Sequence, residues 1–465
     1  MDSKINNKFS TEDALTPFDG RNRHKLKTLT PFFSDRALNY YRVFVEIEYL
    51  KALSSSGTIR EFTNKEFNLL TSFLVKLQAR DEIGLDTIRQ IEKKTNHDVK
   101  AVELFIQNEL QRTSLKDVVS MVHFGLTSDD INNCAYALMI KHSTQQVIIP
   151  SVEKVIGKLY ELIQTSKDIP MLGRTHGQPA APTTLGKELL VFHQRIVQES
   201  SNIKKLNIKA KLNGNTGNFN VQKLLIPKIK WLEFSQKFIK TLGLTPDLIT
   251  TQIEPYDSLI SIFNALMRIN NIILGLCQDL WQYIMFGYFQ QQVIKTETGS
   301  TALPHKINPI YFEGAEGGFG IANALFEFYS RKLSYSRLQR DLSDSTVRRS
   351  FGIAFGYSLL SYQSVEAGLK RISPNKKVIL NDLNKHIEVL SEPIQNLLRL
   401  RGKIDAYEQA KSFFRGKEIT SEQLRKFILN LDLSEADKKT LLDLTPEKYV
   451  GYVEEIIDMM LSFNK

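Results

Sequence analysis

"SLISIFNALMRINNIILGLCQDLWQYIMFGYFQQQ", residues 258 to 292, decides the fold, and its only charges are Arg268 and Asp279. Apolar residues lie on every side of a helical wheel rather than along one stripe. In a soluble chain such a helix has to be buried all round. A membrane span is the competing reading. Asn264, Asn270, Asn271, Gln278 and Gln282 interrupt the run every few residues, so no apolar stretch approaches the about 18 residues a span requires. One chain of 465 residues struggles to surround this helix, which implies a long-helix bundle completed by other subunits.

Helical periodicity continues on both sides. Further long segments are expected at 129–167, with Pro150 as a kink, and at 183–211, 256–291, 310–333 and 343–371. A first group of helices occupies about 34–112, entered through "TPFFSDRALNYYRVFVEIEYLKAL" with Ser34 as N-cap. After 371 the pattern changes to short helices with explicit caps. "TSEQ" at 420 has capping-box form, "LSEAD" puts Ser434 before an acidic turn, and "LTPEK" offers Thr445 and then Pro446. Strand signals are almost absent and no internal repeat stands out. The expected fold is all-α, a long central helical bundle with smaller N- and C-terminal helical domains. The expected division is 1–116, 117–370 with a polar loop at 295–310, and 371–465.

Apolar residues make up 42% and charged residues 24%, the composition of a soluble globular protein. The first twenty residues carry no apolar core of a secretory leader. The two cysteines, Cys134 and Cys277, lie inside apolar helical patterns. That implies a reducing compartment, with neither a disulfide framework nor a cysteine metal site. Lys and Arg number 61 against 51 acidic residues. They are scattered, without an aromatic-interleaved stripe, so they read as surface background rather than a nucleic-acid face.

There is no GxGxxG and no HExxH, and "APTTLGKE" lacks the first glycine of a phosphate loop. Four polar knots remain: "KTNHDVKA" (94–101), "VHFGLTSDDINN" (122–133), "GRTHGQPAAPTT" (173–184) and "TETGSTALPHKINPI" (296–310). Singly, each has a bland explanation: a local His–Asp pair, an N-cap, a turn, a connector. Together they hold four of the eight histidines, His97, His123, His176 and His305. Acid–base chemistry needs such groups, titrating near neutrality. Gly299 lets backbone approach a ligand, and Lys306 offers a point charge to a carboxylate or phosphate. "SRLQRDLSDSTVRRS" (336–350) adds Arg337, Arg340, Arg348 and Arg349 between hydroxyls, a good anion grip, although half of these can equally be surface ion-pair partners.

"TSDDIN", "GRTHGQPA" and "GSTALPHKINP" resemble, in order, the three signature regions of the fumarase/aspartase/argininosuccinate lyase superfamily. "TPFDGR", "TNHDVKAVE", "TTQIEPYD", "PHKINPIYFE" and "SRLQRDLSDSTVRRSFG" resemble segments of its adenylosuccinate lyase family, bacterial type, and the likeness runs from about residue 15 to the C-terminus. The resemblance implies a cytoplasmic homotetramer with a shared helical bundle and active sites built from three subunits. It implies elimination of fumarate from adenylosuccinate, giving AMP, and from the succinyl-aminoimidazole-carboxamide ribotide of purine synthesis. It implies small-molecule nucleotide substrates, no nucleic acid or membrane partner, no metal and no organic cofactor.

By position, the resemblance makes His176 the general acid and Ser300 the base. Residue chemistry alone favours His176 or His305 as base, because a serine hydroxyl is weak unless activated. The resemblance further assigns Thr301, Lys306 and Asn308 to the succinyl part, with the loop acting as a lid that closes over substrate. Thr127 and Ser128 become a carboxylate site at a helix N-terminus. Asn96, His97 and Asp98 bind substrate, with His97 in a position to assist His176. Arg21, Arg340, Ser345, Thr346 and Arg349 contact phosphate and ribose, and Gln252 adds a polar contact. The chain departs from the family pattern at Asn22, Thr301, Leu303 and Gly314. The first puts one phosphate contact in doubt, and none removes a proposed catalytic group. Rival readings are a sister lyase of argininosuccinate type, from which "SDSTVRR" separates this chain, and a crystallin-like structural protein, against which His176 and Ser300 argue.

Overall fold

The computed structural model describes residues 10–79 and 82–462, so residues 1–9 of the leader reading lie outside the described residues. Helix dominates, and the expected all-α bundle is what forms. Its long members are Asp35–Ser55, Ser128–Ser143, Ile149–Gln164, Leu185–Lys205, Asp257–Met285, Ile310–Leu333 and Phe351–Leu369. Among the described residues, strands occur only as three two-stranded pairs.

Local capping follows the sequence closely. Ser34 Oγ accepts the Ala37 N–H at 3.1 Å. Thr420 and Gln423 exchange backbone-to-side-chain bonds of 2.9 and 3.2 Å, and Ser434 Oγ accepts from Asp437 N at 3.2 Å. Thr445 and Pro446 open only a 3-10 turn, Pro446–Lys448.

Several boundaries differ from expectation. Where a kink at Pro150 is expected, a π turn, Thr144–Ile148, lies one turn upstream, closed by Ile149 N–H to Thr144 O. Proline lacks the N–H that the carbonyl four residues earlier needs, and widening the preceding turn absorbs that loss. The expected helix at 183–211 begins at Leu185 and ends at Lys205. Upstream of it, β1 (Pro170–Thr175) pairs antiparallel with β2 (Gln178–Thr184). Pro179 and Pro182 cannot continue a helix, and extended backbone suits both. The 256–291 segment stops at Met285, with Gly287 left-handed at φ 74° before Phe289–Gln291 pairs with Ile372–Pro374. The 343–371 segment breaks into Ser343–Arg348 and Phe351–Leu369, where the Ser350 hydroxyl meets the Tyr329 hydroxyl at 2.8 Å.

By contacts the chain forms two compact units. One comprises Met1–Val152, Glu199–Asn271 and Gly317–Tyr362; the other comprises Glu153–Gln198, Ile272–Glu316 and Gln363–Lys465. The first has an aliphatic core in which Val43, Ile47, Leu70 and Ile106 are fully buried. It also holds an aromatic cluster of Phe263, Phe326, Tyr329 and Phe351, with ring centroids 5.1 to 6.3 Å apart. The second is centred on Leu383, Ile394, Leu398 and Ile428, with Phe413 stacked on Phe427 at 4.0 Å.

Of the polar interruptions of the opening stretch, Asn270 is buried and Asn264 half-buried against protein, whereas Asn271, Gln278 and Gln282 are exposed. Asn270 is fully buried. Its Nδ2 donates to Asn323 Oδ1 at 2.9 Å and Ser358 Oγ at 3.1 Å, and its Oδ1 accepts the Tyr362 hydroxyl at 2.5 Å. Asn271 Oδ1 accepts from Asn323 Nδ2, and Asn264 Oδ1 accepts from Ser330 Oγ. By length and composition the Asp257–Met285 helix is apolar enough to cross a bilayer, but 56% of its most apolar window is buried within the chain. It is a core helix whose asparagines set the register of its neighbours. Replacing Asn270 by leucine strands three partners at once. Asn270→Leu is expected to cost about 2–4 kcal/mol, read as a lower denaturant midpoint at constant slope. A midpoint equal to wild type would show that the network contributes nothing.

Candidate active site

In the first unit, two of the polar knots, 94–101 and 122–133, and the arginine-rich 336–350 segment meet at buried charge. His97 caps the Asp98–Leu110 helix, its Nδ1 accepting from Lys100 N at 3.2 Å. Acceptance at Nδ1 leaves the proton on Nε2, so the half-exposed ring presents a donor outward. Asn96 precedes it at φ 52°, a left-handed position that Asn tolerates better than most residues. Asp98 Oδ2 accepts from Arg42 Nη2 at 2.5 Å and from Arg349 Nη2 at 3.1 Å. Burial pushes the Asp98 carboxyl up, but the Arg42 guanidinium and the Val99 N–H outweigh it, and the group sits below the usual carboxylate range. Arg349 Nη1 in turn donates to Ser345 Oγ at 2.6 Å. Asp98, Ser345 and Arg349 are thus one constellation, and Thr346 lies on the same short helix.

Thr127 and Ser128 open the Ser128–Ser143 helix as expected, but Asp130 already takes the Thr127 N–H at 2.9 Å. The Thr127 hydroxyl closes a capping box with the Asp130 N–H, and helix geometry leaves the Ser128 and Asp129 N–H groups and the Ser128 hydroxyl to meet an anion. Asp130 also holds the strap at Lys211–Gly214. It accepts from Asn213 N at 3.0 Å and pairs with the fully buried Lys211 at 3.1 Å. Gln252 and Arg340 meet, Arg340 Nη1 donating to Gln252 Oε1 at 3.4 Å while Gln252 Nε2 donates to Asn215. Arg21 is exposed. Its segment lies on the Phe351–Leu369 helix, where the Phe18 and Tyr357 rings are 4.8 Å apart. His123 leaves the list of candidates. It sits at φ 63° with Nδ1 2.5 Å from Glu46 Oε1. Burial pulls its pKa down and the Glu46 carboxylate pushes it up, the net being a raised value.

The second unit holds the two proposed catalytic residues. The Thr175–Gln178 pair leaves a two-residue turn, His176–Gly177, with φ of 54° and 74°. Tight hairpins favour Asn-Gly there; an L-histidine in that conformation costs about 1–2 kcal/mol. The strain places an exposed imidazole at the tip of a hairpin, the kind of outlier that clusters at functional sites. Gly173 is required behind it, because a methyl there would lie 2.3 Å from the Ala181 carbonyl oxygen.

In the polar loop, Ser300 Oγ accepts two backbone N–H groups, from Ala302 at 3.3 Å and Leu303 at 3.1 Å. Asn308 Nδ2 donates to Gly299 O at 2.6 Å and Gln291 Nε2 to Ile307 O at 2.9 Å, so Asn308 here shapes the loop. A methyl on Gly299 would lie 1.9 Å from the Lys306 carbonyl oxygen, which explains the glycine. Lys306, His305 and Arg371 line a cleft of about 280 Å³ beneath the loop. Thr301 is exposed on the loop. Among the described residues lining that cleft, neither Ser300 nor His176 appears. Among the described residues no three His, Cys, Asp or Glu side chains cluster as a metal-holding group.

The sequence reading missed Arg42, Lys211 and Glu254, whose only signal was a charge or amide-rich strap inside an otherwise helical or apolar context. Glu254 is 2% exposed, its Oε2 accepts the Tyr256 N–H at 2.8 Å, and its Oε1 has no partner. Burial pushes its carboxyl from 4.5 up to about 8.

A profile of the family described as Lyase matches residues 21–320, and one described as Adenylosuccinate lyase C-terminal matches 336–450. The chain is 44% identical over 447 residues to an adenylosuccinate lyase of Legionella pneumophila, covering 96% of this chain and 98% of that protein. It is 43% identical over 468 residues to one of Dictyostelium discoideum (98% and 100%), and 40% identical over 456 to one of Haemophilus influenzae (97% and 99%). Among solved structures, a fumarate lyase from a Mesorhizobium species superposes with TM-score 0.76 at 17% identity, covering 94% of this chain and 97% of that one. A β-carboxy-cis,cis-muconate cycloisomerase from Acinetobacter calcoaceticus gives 0.73 at 18%, covering 94% and 98%. At those identities the two structures speak for the fold.

Two outcomes follow from the geometry. Gly299→Ala should lower kcat at least about tenfold with little change in Tm, because the loop it reshapes is exposed; an unchanged kcat would show that the loop has room. Glu254 binds its proton more tightly folded than unfolded, so its contribution to stability is present below pH 4.5 and is lost as pH rises to about 8. Glu254→Gln should therefore raise Tm at pH 8.5 and flatten the pH dependence of stability. Parallel Tm–pH curves for the two proteins would show that the carboxyl is not held neutral.

Proposed function

The chain belongs to the adenylosuccinate lyase family and is a carbon–nitrogen lyase of purine biosynthesis, releasing fumarate from adenylosuccinate to leave AMP; from that premise we propose how its residues divide the reaction. Ser300 removes the proton from the carbon beside a succinyl carboxylate, and His176 protonates the purine nitrogen as the carbon–nitrogen bond breaks. The electron pair of the broken C–H bond becomes the new double bond of fumarate. One proton leaves the succinyl group and one reaches the nitrogen, so the reading calls on no redox partner and invokes no cofactor. The succinyl-aminoimidazole-carboxamide ribotide presents the same bond to the same groups.

The observation that carries this reading is the pair of N–H groups aimed at Ser300 Oγ. A serine is a base only where its alkoxide is stabilised, and two fixed backbone dipoles supply that without reorganisation. Lys306 in the same loop adds a positive charge for the doubly charged carboxylate that develops. Thr301 and Asn308 complete the succinyl side of the loop. Thr127 and Ser128 grip a substrate carboxylate. Asn96, His97 and Asp98 bind substrate, with the outward Nε2–H of His97 as donor. Arg21, Arg340, Ser345, Thr346 and Arg349 take phosphate and ribose, with Gln252 oriented by Arg340.

The reading further takes the enzyme as a soluble, cytoplasmic homotetramer whose sites are shared, with domains 1–116, 117–370 and 371–465. Support comes from apolar side chains left exposed on the long helices, such as Met285 at 59%, Ile310 at 58% and Ile321 at 45%. A helix that needs burial on all sides and leaves such residues uncovered calls for a second copy. In this reading His176 is supplied to the Ser300 loop by another subunit.

Ser300→Ala and His176→Ala should each bind adenylosuccinate with near-native affinity and lose turnover by about 10²–10⁴-fold, followed by the fall in its ultraviolet absorbance. A Ser300→Ala rate within about threefold of wild type removes serine as the base. Mixing the two inactive proteins under conditions of subunit exchange should restore part of the activity. No recovery after verified exchange rejects shared sites.

A further inference from the structure

Arg348 is the largest of the fully buried side chains, 2% exposed, in a chain where every other arginine of the 336–350 segment reaches solvent to some degree. Its Nη1 donates to Asp129 Oδ1 at 2.8 Å, and its Nη2 pairs with Asp344 Oδ2 at 3.1 Å. The guanidinium lies 5.1 Å from the Tyr136 ring centroid and 5.8 Å from that of Tyr256. Tyr256 donates its hydroxyl to the same Asp344 oxygen at 2.7 Å. Tyr256 also sits at φ 64°, a costly conformation for an aromatic residue.

The two carboxylates stand at significant places. Asp129 follows Ser128 in the first turn of its helix, and Asp344 precedes Ser345 in the helix that ends with Arg348. Arg340 lies 3.9 Å from Asp344 Oδ1, so two arginines face two aspartates and the cluster is neutral as a whole. Both terminal nitrogens of Arg348 are spent on the two aspartates, its Nε is buried without a partner, and the side chain does not reach solvent. What its rigid two-pronged fork fixes is a distance, that between Thr127–Ser128 and Ser345–Arg349.

We propose that Arg348 is a positioning residue that sets the spacing between the carboxylate grip at Thr127–Ser128 and the phosphate grip at Ser345–Arg349. A ligand that engages both grips at once gains from the correct spacing, because its second contact is intramolecular. A ligand that engages one grip is indifferent to it. This rests on the assignment of those grips made above.

The test is Arg348→Lys, which keeps a charge but cannot fork between two carboxylates. KM for adenylosuccinate should rise about tenfold with kcat within about threefold. Inhibition constants for fumarate alone and for inorganic phosphate alone should stay within about twofold. An unchanged KM overturns the proposal. So does parallel weakening of all three ligands together with kcat, the result of a general folding defect. If Arg348→Lys is not recovered folded, Tyr256→Phe removes one donor to Asp344 and should raise the same KM about threefold without moving the one-grip ligands; an unchanged KM there overturns the proposal too. Arg349→Ala separates the two levels. If it leaves the adenylosuccinate KM unchanged, the phosphate grip itself falls and this inference with it. If it raises KM while Arg348→Lys does not, only this inference falls.

Discussion

Asn270 has no access to water, so its amide has to find every partner on the helices packed against it. Asn323, Ser358 and Tyr362 supply them. An apolar helix can slide or rotate against apolar neighbours at little cost, but a buried amide stranded by one residue of slip forfeits its hydrogen bonds. That asymmetry fixes the register of the Asp257–Met285, Ile310–Leu333 and Phe351–Leu369 helices in the first unit. Ser345 and Arg349, which precede the last of these, and Gln252, which precedes the first, inherit their positions from it.

Buried charge is organised by a related rule. Arg42, Lys211 and Arg348 are each enclosed, and each is matched to an aspartate: Asp98, Asp130 and Asp129. Removing a charge from water is costly unless a partner meets it. Those partners all lie in the first turns of helices that carry proposed substrate contacts. The charges at depth therefore work on geometry, leaving half-exposed groups such as Arg349 and His97 to meet an anionic nucleotide. In the loop the same task falls to backbone: Gly299 permits the close turn, and the N–H groups of Ala302 and Leu303 converge on Ser300.

Much of this was legible from residue order because it is local. Ser34, Thr420 and Ser434 cap helices with bonds three residues long, and the Ile310–Leu333 helix has the bounds its periodicity sets. The 173–184 stretch reads as a turn rather than as strands, since it carries Pro179 and Pro182 and no alternation. Pro150 marks where the helix loses a donor, but sequence does not name the π turn by which the backbone absorbs that loss. His123 stood among candidate acid–base groups until its pairing with Glu46 appeared.

The sequence by itself determined that the chain is a bundle of long helices, that its chemistry sits in four polar knots, and which residues resemble an acid, a base and an anion grip. These depend on periodicity, capping and motif order, all properties of neighbours along the chain. Only the tertiary structure decided which charges are consumed in the interior and which remain to bind. Asp98 meets Arg349 across 251 residues and Arg348 meets Asp129 across 219. Whether an arginine is buried and paired or exposed and available depends on what packs over it, and no local pattern distinguishes Arg348 from Arg349.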